Sequence, residues 1–196
     1  MGIFRLVWKR RKKRVKEEMD EDTKRLVSHA EALIQDSRYT DAGRCYERAS
    51  ENVRDKETAA ALLIKASEAF RKPGSFNKAA GCCQKAAEFL EGKGKAACLM
   101  ASWKILMDAI VAFEYDCGFE WRGETNGSHD SYLHDIERYE NEAADVLRQA
   151  LRIDGVDTNR IIKQAEEKWK EMKEGGGWGA TRCWDIIQTV NGERKG

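Results

Sequence analysis

The chain has 196 residues, 41% hydrophobic and 35% charged, with one proline and a net charge of +1. That length suits a single domain, or one domain with tails, and is enough to bury a real core. No segment approaches 18 continuous apolar residues, which argues against a membrane-spanning helix, and the six cysteines lack framework spacing and read as reduced intracellular thiols.

The charge is unevenly spread. Residues 1–16, MGIFRLVWKRRKKRVK, hold eight bases and no acid, which leaves the rest of the chain at −7. Ile3, Phe4, Val7 and Trp8 form an apolar head, and Arg10, Arg11, Lys12, Lys13 and Arg14 follow at once. A basic amphipathic segment of this kind is expected to lie on an anionic membrane, head inserted and bases over lipid phosphates. The same run also fits a nuclear-import signal or a nucleic-acid arm. The plain reading is a solvated terminus whose head packs on the body. The clustered apolar residues favour membrane over nucleic acid, because phosphate binding alone would not need them. Gly2 invites myristoylation, but Leu6 stands where that motif wants Ser or Thr. A secretory signal's long apolar core and cleavage site are missing. Glu17 to Asp22 is acidic, and Asp22 or Thr23 is expected to cap the first helix of the body.

From Thr23 to Glu91 the sequence says the same thing twice. RLVSHAEALIQDSRYTDAGRCYERASE is followed by ALLIKASEAFRKPGSFNKAAGCCQKAAE. Aligning Tyr39 with Phe76 brings Ala42 onto Ala79, Tyr46 onto Cys83, Ala49 onto Ala86 and Leu33 onto Phe70, a period of 37 residues. Each unit reads as a first helix with an apolar stripe, a short polar turn (36–38 or 72–75), and a second helix opened by an aromatic residue. Ala42 and Ala79 are expected where paired helices cross closely. One hairpin of this kind cannot bury its apolar face alone, so the period predicts a stack of hairpins.

These offsets of aromatic, small and alanine positions resemble tetratricopeptide repeats. More narrowly, the phrasing AAGCCQKA at 79–86 and GKAA at 94–97 resembles the soluble NSF-attachment protein family over about residues 23–113. The resemblance implies an all-α, right-handed superhelix of antiparallel helix hairpins, and an adaptor that works with other proteins, the narrower family at vesicle membranes. The acidic, leucine-ended C-terminus through which the attachment proteins stimulate an ATPase is replaced here by Gly192 to Gly196, so that activity is not implied. Counting helical positions from the resemblance, the first helices should line a concave groove with Lys24, Val27, Glu31 and Ile34, then Ala61, Ile64, Glu68 and Arg71. The Lys and Asn clamp with which some repeat proteins hold a C-terminal carboxylate is replaced by Val27, Glu31, Ile64 and Glu68. A mixed apolar and charged groove suits a helix or an extended peptide instead. The bland alternative is that these side chains pack against later helices.

A long helix over about Ala96–Asp116, apolar on more than one face, should begin a third unit. Residues 116–130, DCGFEWRGETNGSHD, read as a long loop that places Phe119 and Trp121 either as a folded-back lid or as a partner contact. A return helix over Tyr132–Ile153 and a polar closing helix, capped by Asp157 and running to about Glu174, follow. Gly175 to Gly179 reads as a flexible linker, and Ala180–Val190 as a short helix that docks on the body or on another chain through Trp184. The expected organisation is thus an arm at 1–22, a repeat domain at 23–174, and a linker with a short helix at 175–196.

Chemistry is sparse. His29-Ala30-Glu31 begins a zinc-deaminase signature that nothing completes. His129, His134 and Cys117 match no established metal spacing. Cys82 and Cys83, adjacent on a helix, point different ways. Phosphate loops and nucleophile elbows are missing. The sequence therefore predicts a non-enzyme with no cofactor and no metal. Its partner is another protein, and it is cytoplasmic, peripheral to an anionic membrane, with nucleic acid the rival ligand of the arm.

Overall fold

The computed structural model describes residues 19–120, 129–175 and 179–195, and within them it is all-helical. The helices are α1 (Glu21–Gln35), α2 (Tyr39–Glu51), α3 (Lys56–Arg71), α4 (Phe76–Glu88), α5 (Gly92–Glu120), α6 (His129–Leu151), α7 (Thr158–Gly175) and α8 (Gly179–Lys195). From α1 to α6 each helix packs mainly on the helices next to it in sequence; α7 and α8 pair with each other, and α8 also lies on α5 and α6.

The 37-residue period is written into the turns. Arg38 N–H donates to the Leu33 carbonyl at 2.8 Å and Ser75 N–H to that of Phe70 at 3.0 Å. The next bonds, Ser37 to Ile34 and Gly74 to Arg71, are 3.1 Å in both hairpins. The residue that reverses the chain is left-handed in both: Ser37 with φ 59° and Gly74 with φ 76°. Glycine takes that conformation freely; a serine pays for its Cβ. The second helices then run over equivalent residues, 39–51 and 76–88.

The starts of the first helices differ from expectation. The cap of α1 is Asp20, not Asp22 or Thr23: its carboxylate accepts from the Thr23 N–H at 2.7 Å, and Thr23 is itself fully buried. Asp55 does the same for Thr58 at 2.8 Å. Both caps satisfy an N–H that the first helical turn leaves open. They lie 35 residues apart rather than 37, so the stretch from cap to reversing residue is two residues longer in the second hairpin, one of them within α3.

Small residues set the helix crossings. Ala42, Ala49, Ala79 and Ala86 are all fully buried. Gly43 is tighter still: a Cβ there would stand 2.7 Å from the ring of Phe70, itself completely buried. The stretch Gly92–Phe113 of α5 is long and apolar enough to cross a membrane by length and composition. Here it is a core helix, with Trp103, Leu106, Met107 and Ile110 sealed from solvent between its neighbours.

Three further expectations are revised. The helix expected from Ala96 starts at Gly92 and absorbs Lys93-Gly94-Lys95. Much of the loop expected at 116–130 is helix: α5 runs through Phe119 to Glu120 and α6 starts at His129, with Trp121 outside the described residues. α5 propagates past Gly118, whose cost of about 1 kcal/mol is small beside the rest of that long helix. The short helix expected at 180–190 extends to Lys195.

Candidate protein-binding face

Two rows of polar side chains tie alternate helices together. On one side, Lys65 of α3 meets Glu31 of α1 at 3.4 Å, Arg71 of α3 meets Asp108 of α5, and Lys168 of α7 meets the same Asp108 at 2.7 Å. The row crosses the first helix of every hairpin. On the other, Glu47 of α2 accepts from Lys85 at 3.4 Å and from the Cys82 thiol at 3.5 Å, both on α4. Gln84 of α4 donates to Glu142 of α6 at 2.7 Å, Arg148 of α6 donates to Glu193 of α8, and Arg182 of α8 donates to Glu140 of α6. Exposed pairs of this kind are worth about 0–1 kcal/mol each, so they fix the register of hairpins more than they stabilise them. Asp108 and Lys168 are mostly buried, and removing one would strand the other's charge.

The residues expected to line a groove divide along α1 and α3. Val27 is 5% exposed and belongs to the core, and Ala61 is 9% exposed, so neither is available to a ligand. The helical count from the repeat pattern runs these positions into the neighbouring helix instead. Ile64 is half-buried against the core, and Lys24 is engaged with Glu21 at 3.0 Å. Toward the C-terminal ends the face opens. Glu31, Ile34, Glu68 and Arg71 are all exposed, and Ile34 and Phe89 are the exposed large hydrophobic side chains among the described residues.

The centre of this open end is the Lys65 ammonium. It sits 5.1 Å from the centroid of the Tyr46 ring and shares itself between that ring and Glu31. One helical turn on from the Glu31–Lys65 pair stand Ile34 on α1 and Glu68 on α3. Glu68 is exposed as a residue, but neighbouring atoms crowd its carboxyl and shield it in part from water, which pushes it above the usual carboxylate range, with Lys65 pulling it back by less. Burial, aided by Glu31 and Glu68, pushes the Tyr46 hydroxyl up to about 12. Beneath, Ser67 and Cys83 share a hydrogen bond at 3.1 Å. The result is a small apolar and charged platform with two carboxylates to one ammonium.

Four of the described thiols are quiet. Burial first of all pushes Cys82 and Cys83 up, and Cys98 and Cys183 up to about 12 each. A thiol so shifted is protonated at neutral pH and a poor nucleophile. His29 is exposed on α1, and no group of three potential metal ligands occurs among the described residues. The arm residues Ile3 to Arg14 lie outside the described residues, as does Trp121, and nothing is described of the Phe119 side chain. Sequence reading missed Lys65, Tyr46, Asp108 and Lys168. The only available signal was their place on the helical stripe, because their partners are 19 to 60 residues away.

No protein-family profile matches the chain, and no curated protein matches it. Among solved structures, the assembly chaperone of RpL4 (Acl4, residues 1–338) is similar at 14% identity, with 88% of this chain and 69% of that one covered and a TM-score of 0.34. A TM-score that low reflects shared helical make-up and carries nothing about partners. On its own turns, caps and crossings, the chain is a helical-repeat protein.

Proposed function

We propose that the chain is a protein-interaction scaffold, a right-handed superhelix of hairpins that takes a helix or an extended peptide on the open end of α1 and α3. The observation that carries this is Ile34. It is a large apolar side chain left 36% exposed on a face otherwise made of Glu31, Lys65, Glu68 and Arg71. An apolar anchor ringed by charges of both signs is how a peptide groove combines affinity with register. Nearest-neighbour packing of hairpins and the two polar rows support the superhelical arrangement.

The arm, residues 1–22, brings the scaffold to an anionic membrane on the cytoplasmic side, as the narrower resemblance to the attachment proteins implies for vesicle traffic. Each base near such a surface is worth about 1 kcal/mol and is screened by salt, whereas apolar insertion is not. Binding to anionic liposomes, measured with and without residues 1–16, tests this. Replacing Arg10, Arg11, Lys12 and Lys13 by Ala should remove most of the salt dependence, and replacing Phe4 and Trp8 by Ser should weaken binding at every salt concentration. Binding to DNA or RNA with a steep salt slope, and none to liposomes, would hand the arm to the nucleic-acid reading.

A further inference from the structure

The charges on the open end of α1 and α3 pair off one by one. The Lys65 ammonium takes Glu31 at 3.4 Å and lies over the Tyr46 ring. Arg71 reaches Asp108 on α5, and Asp108 also holds Lys168, which has Glu171 at 3.7 Å as a further carboxylate. Glu31, Asp108 and Glu171 thus balance Lys65, Arg71 and Lys168. Glu68 is left over. It makes no ion pair or hydrogen bond with any described residue, and the one cation that acts on it, Lys65, is already engaged by Glu31. Its carboxyl is also partly shielded from water by its neighbours. A carboxylate so placed has lost hydration without gaining a counter-ion. Ile34, the exposed apolar side chain of this face, lies one turn beyond Glu31 on α1, as Glu68 lies one turn beyond Lys65 on α3.

We propose that the segment taken by the α1–α3 face is basic as well as apolar: it seats a large apolar side chain on Ile34 and, within about four residues of it, a Lys or Arg on Glu68. The inference rests on the reading that this face binds a peptide, and it names the peptide's charge. A cation there supplies what Glu68 lacks and leaves the pairs around it intact. An acidic segment meets Glu68 as a like charge, and the cations that could answer it, Lys65 and Arg71, would first have to leave Glu31 and Asp108. Glu68 is therefore the residue that sets which segments the face accepts.

The test is a selection from a random peptide library displayed on phage, run in parallel on full-length wild type and on Glu68→Lys, with both checked for fold by circular dichroism. Wild type should enrich peptides with Lys or Arg close to a large apolar residue, and Glu68→Lys should enrich Asp or Glu at that place. A peptide selected on wild type and then synthesised should bind Glu68→Gln about threefold more weakly, Glu68→Lys at least about tenfold more weakly, and Ile34→Asp hardly at all. Peptides that need Ile34 but carry no basic preference, or the same peptides from wild type and Glu68→Lys, overturn the inference and leave the peptide face standing. No enrichment, or peptides indifferent to Ile34→Asp, overturns the face and the inference with it.

Discussion

Residues 20–90 hold two hairpins whose turns share two backbone bonds and a left-handed residue at the same place, while among the described residues from Gly92 onward no helix length recurs. The difference lies in what fills the space between helices. In the first half the crossings are made by Ala42, Gly43, Ala49, Ala79 and Ala86, which let backbones approach and fix one geometry. In the second half they are made by Trp103, Leu106, Met107, by Phe113 against Tyr139 at 5.3 Å, and by Trp169 against Trp184. Large side chains fill irregular gaps, so the helices they join are free to differ in length and angle. Fully buried alanines continue in the second half (Ala109, Ala143, Ala150 and Ala165), but there they sit among large side chains and keep no 37-residue spacing.

Substitutions in the two halves should therefore fail in opposite ways. The largest effect is expected where a large side chain is removed. Trp103→Ala should cost about 3–5 kcal/mol in denaturant unfolding, because the cavity lies in the helix that α4, α6 and α8 all touch. Trp103→Phe should cost far less, since the indole N–H has no partner and is not missed.

In the first half the damage comes from adding atoms. Gly43→Ala should overpack Phe70, and Ala79→Leu its own crossing, each by about 1–3 kcal/mol, read as a lower Tm. An unchanged midpoint for both would show that close crossings do not set the period.

Smaller still is the turn. Ser37→Gly should stabilise by up to about 1 kcal/mol by relieving the left-handed serine, and Gly74→Ser should do the reverse. Equal and opposite shifts would confirm that the two turns are one device.

The smallest effect separates two carboxylates. Glu193 is held below its ordinary range by hydrogen bonds from Arg148, so its contribution is present above the unfolded value near 4.5 and is lost as pH falls through the lower folded value. Glu68 is raised by the crowding of its carboxyl, so its charge costs stability above its folded value, and acid relieves that cost. Glu193→Gln should flatten the acid limb of a stability–pH curve, while Glu68→Gln should be neutral or slightly stabilising at pH 7.

The repeat was legible in the sequence because its markers are local and spaced by 37. Tyr39, Phe76 and the four alanines announce themselves without a partner. Asp20 was not, because an N-cap is chosen by which backbone N–H it reaches, and Asp22 and Thr23 look equally suited on paper. Val27 and Ala61 were placed on a wet face because a helical count fixes direction only to within a residue or so, and at the start of a helix that is enough to turn a side chain inward. Glu31, Ile34, Glu68 and Arg71, on the same two helices, are exposed. Lys65 over Tyr46 and the shared Asp108 could not be read at all, since each joins residues on different helices.

The claim that most needs testing is that a partner segment lies on the open end of α1 and α3. A photoreactive amino acid placed at Ile34, Glu68 or Phe89 of the full-length chain, one site at a time, tests it in cells. Ile34 and Glu68 share the proposed face, and Phe89 is the equally exposed apolar control at the end of α4. The same partner band should appear from Ile34 and Glu68, disappear with Ile34→Asp in the Glu68 probe, and be absent from Phe89. A band from Phe89 alone, or one from Glu68 that survives Ile34→Asp, would contradict the proposed face.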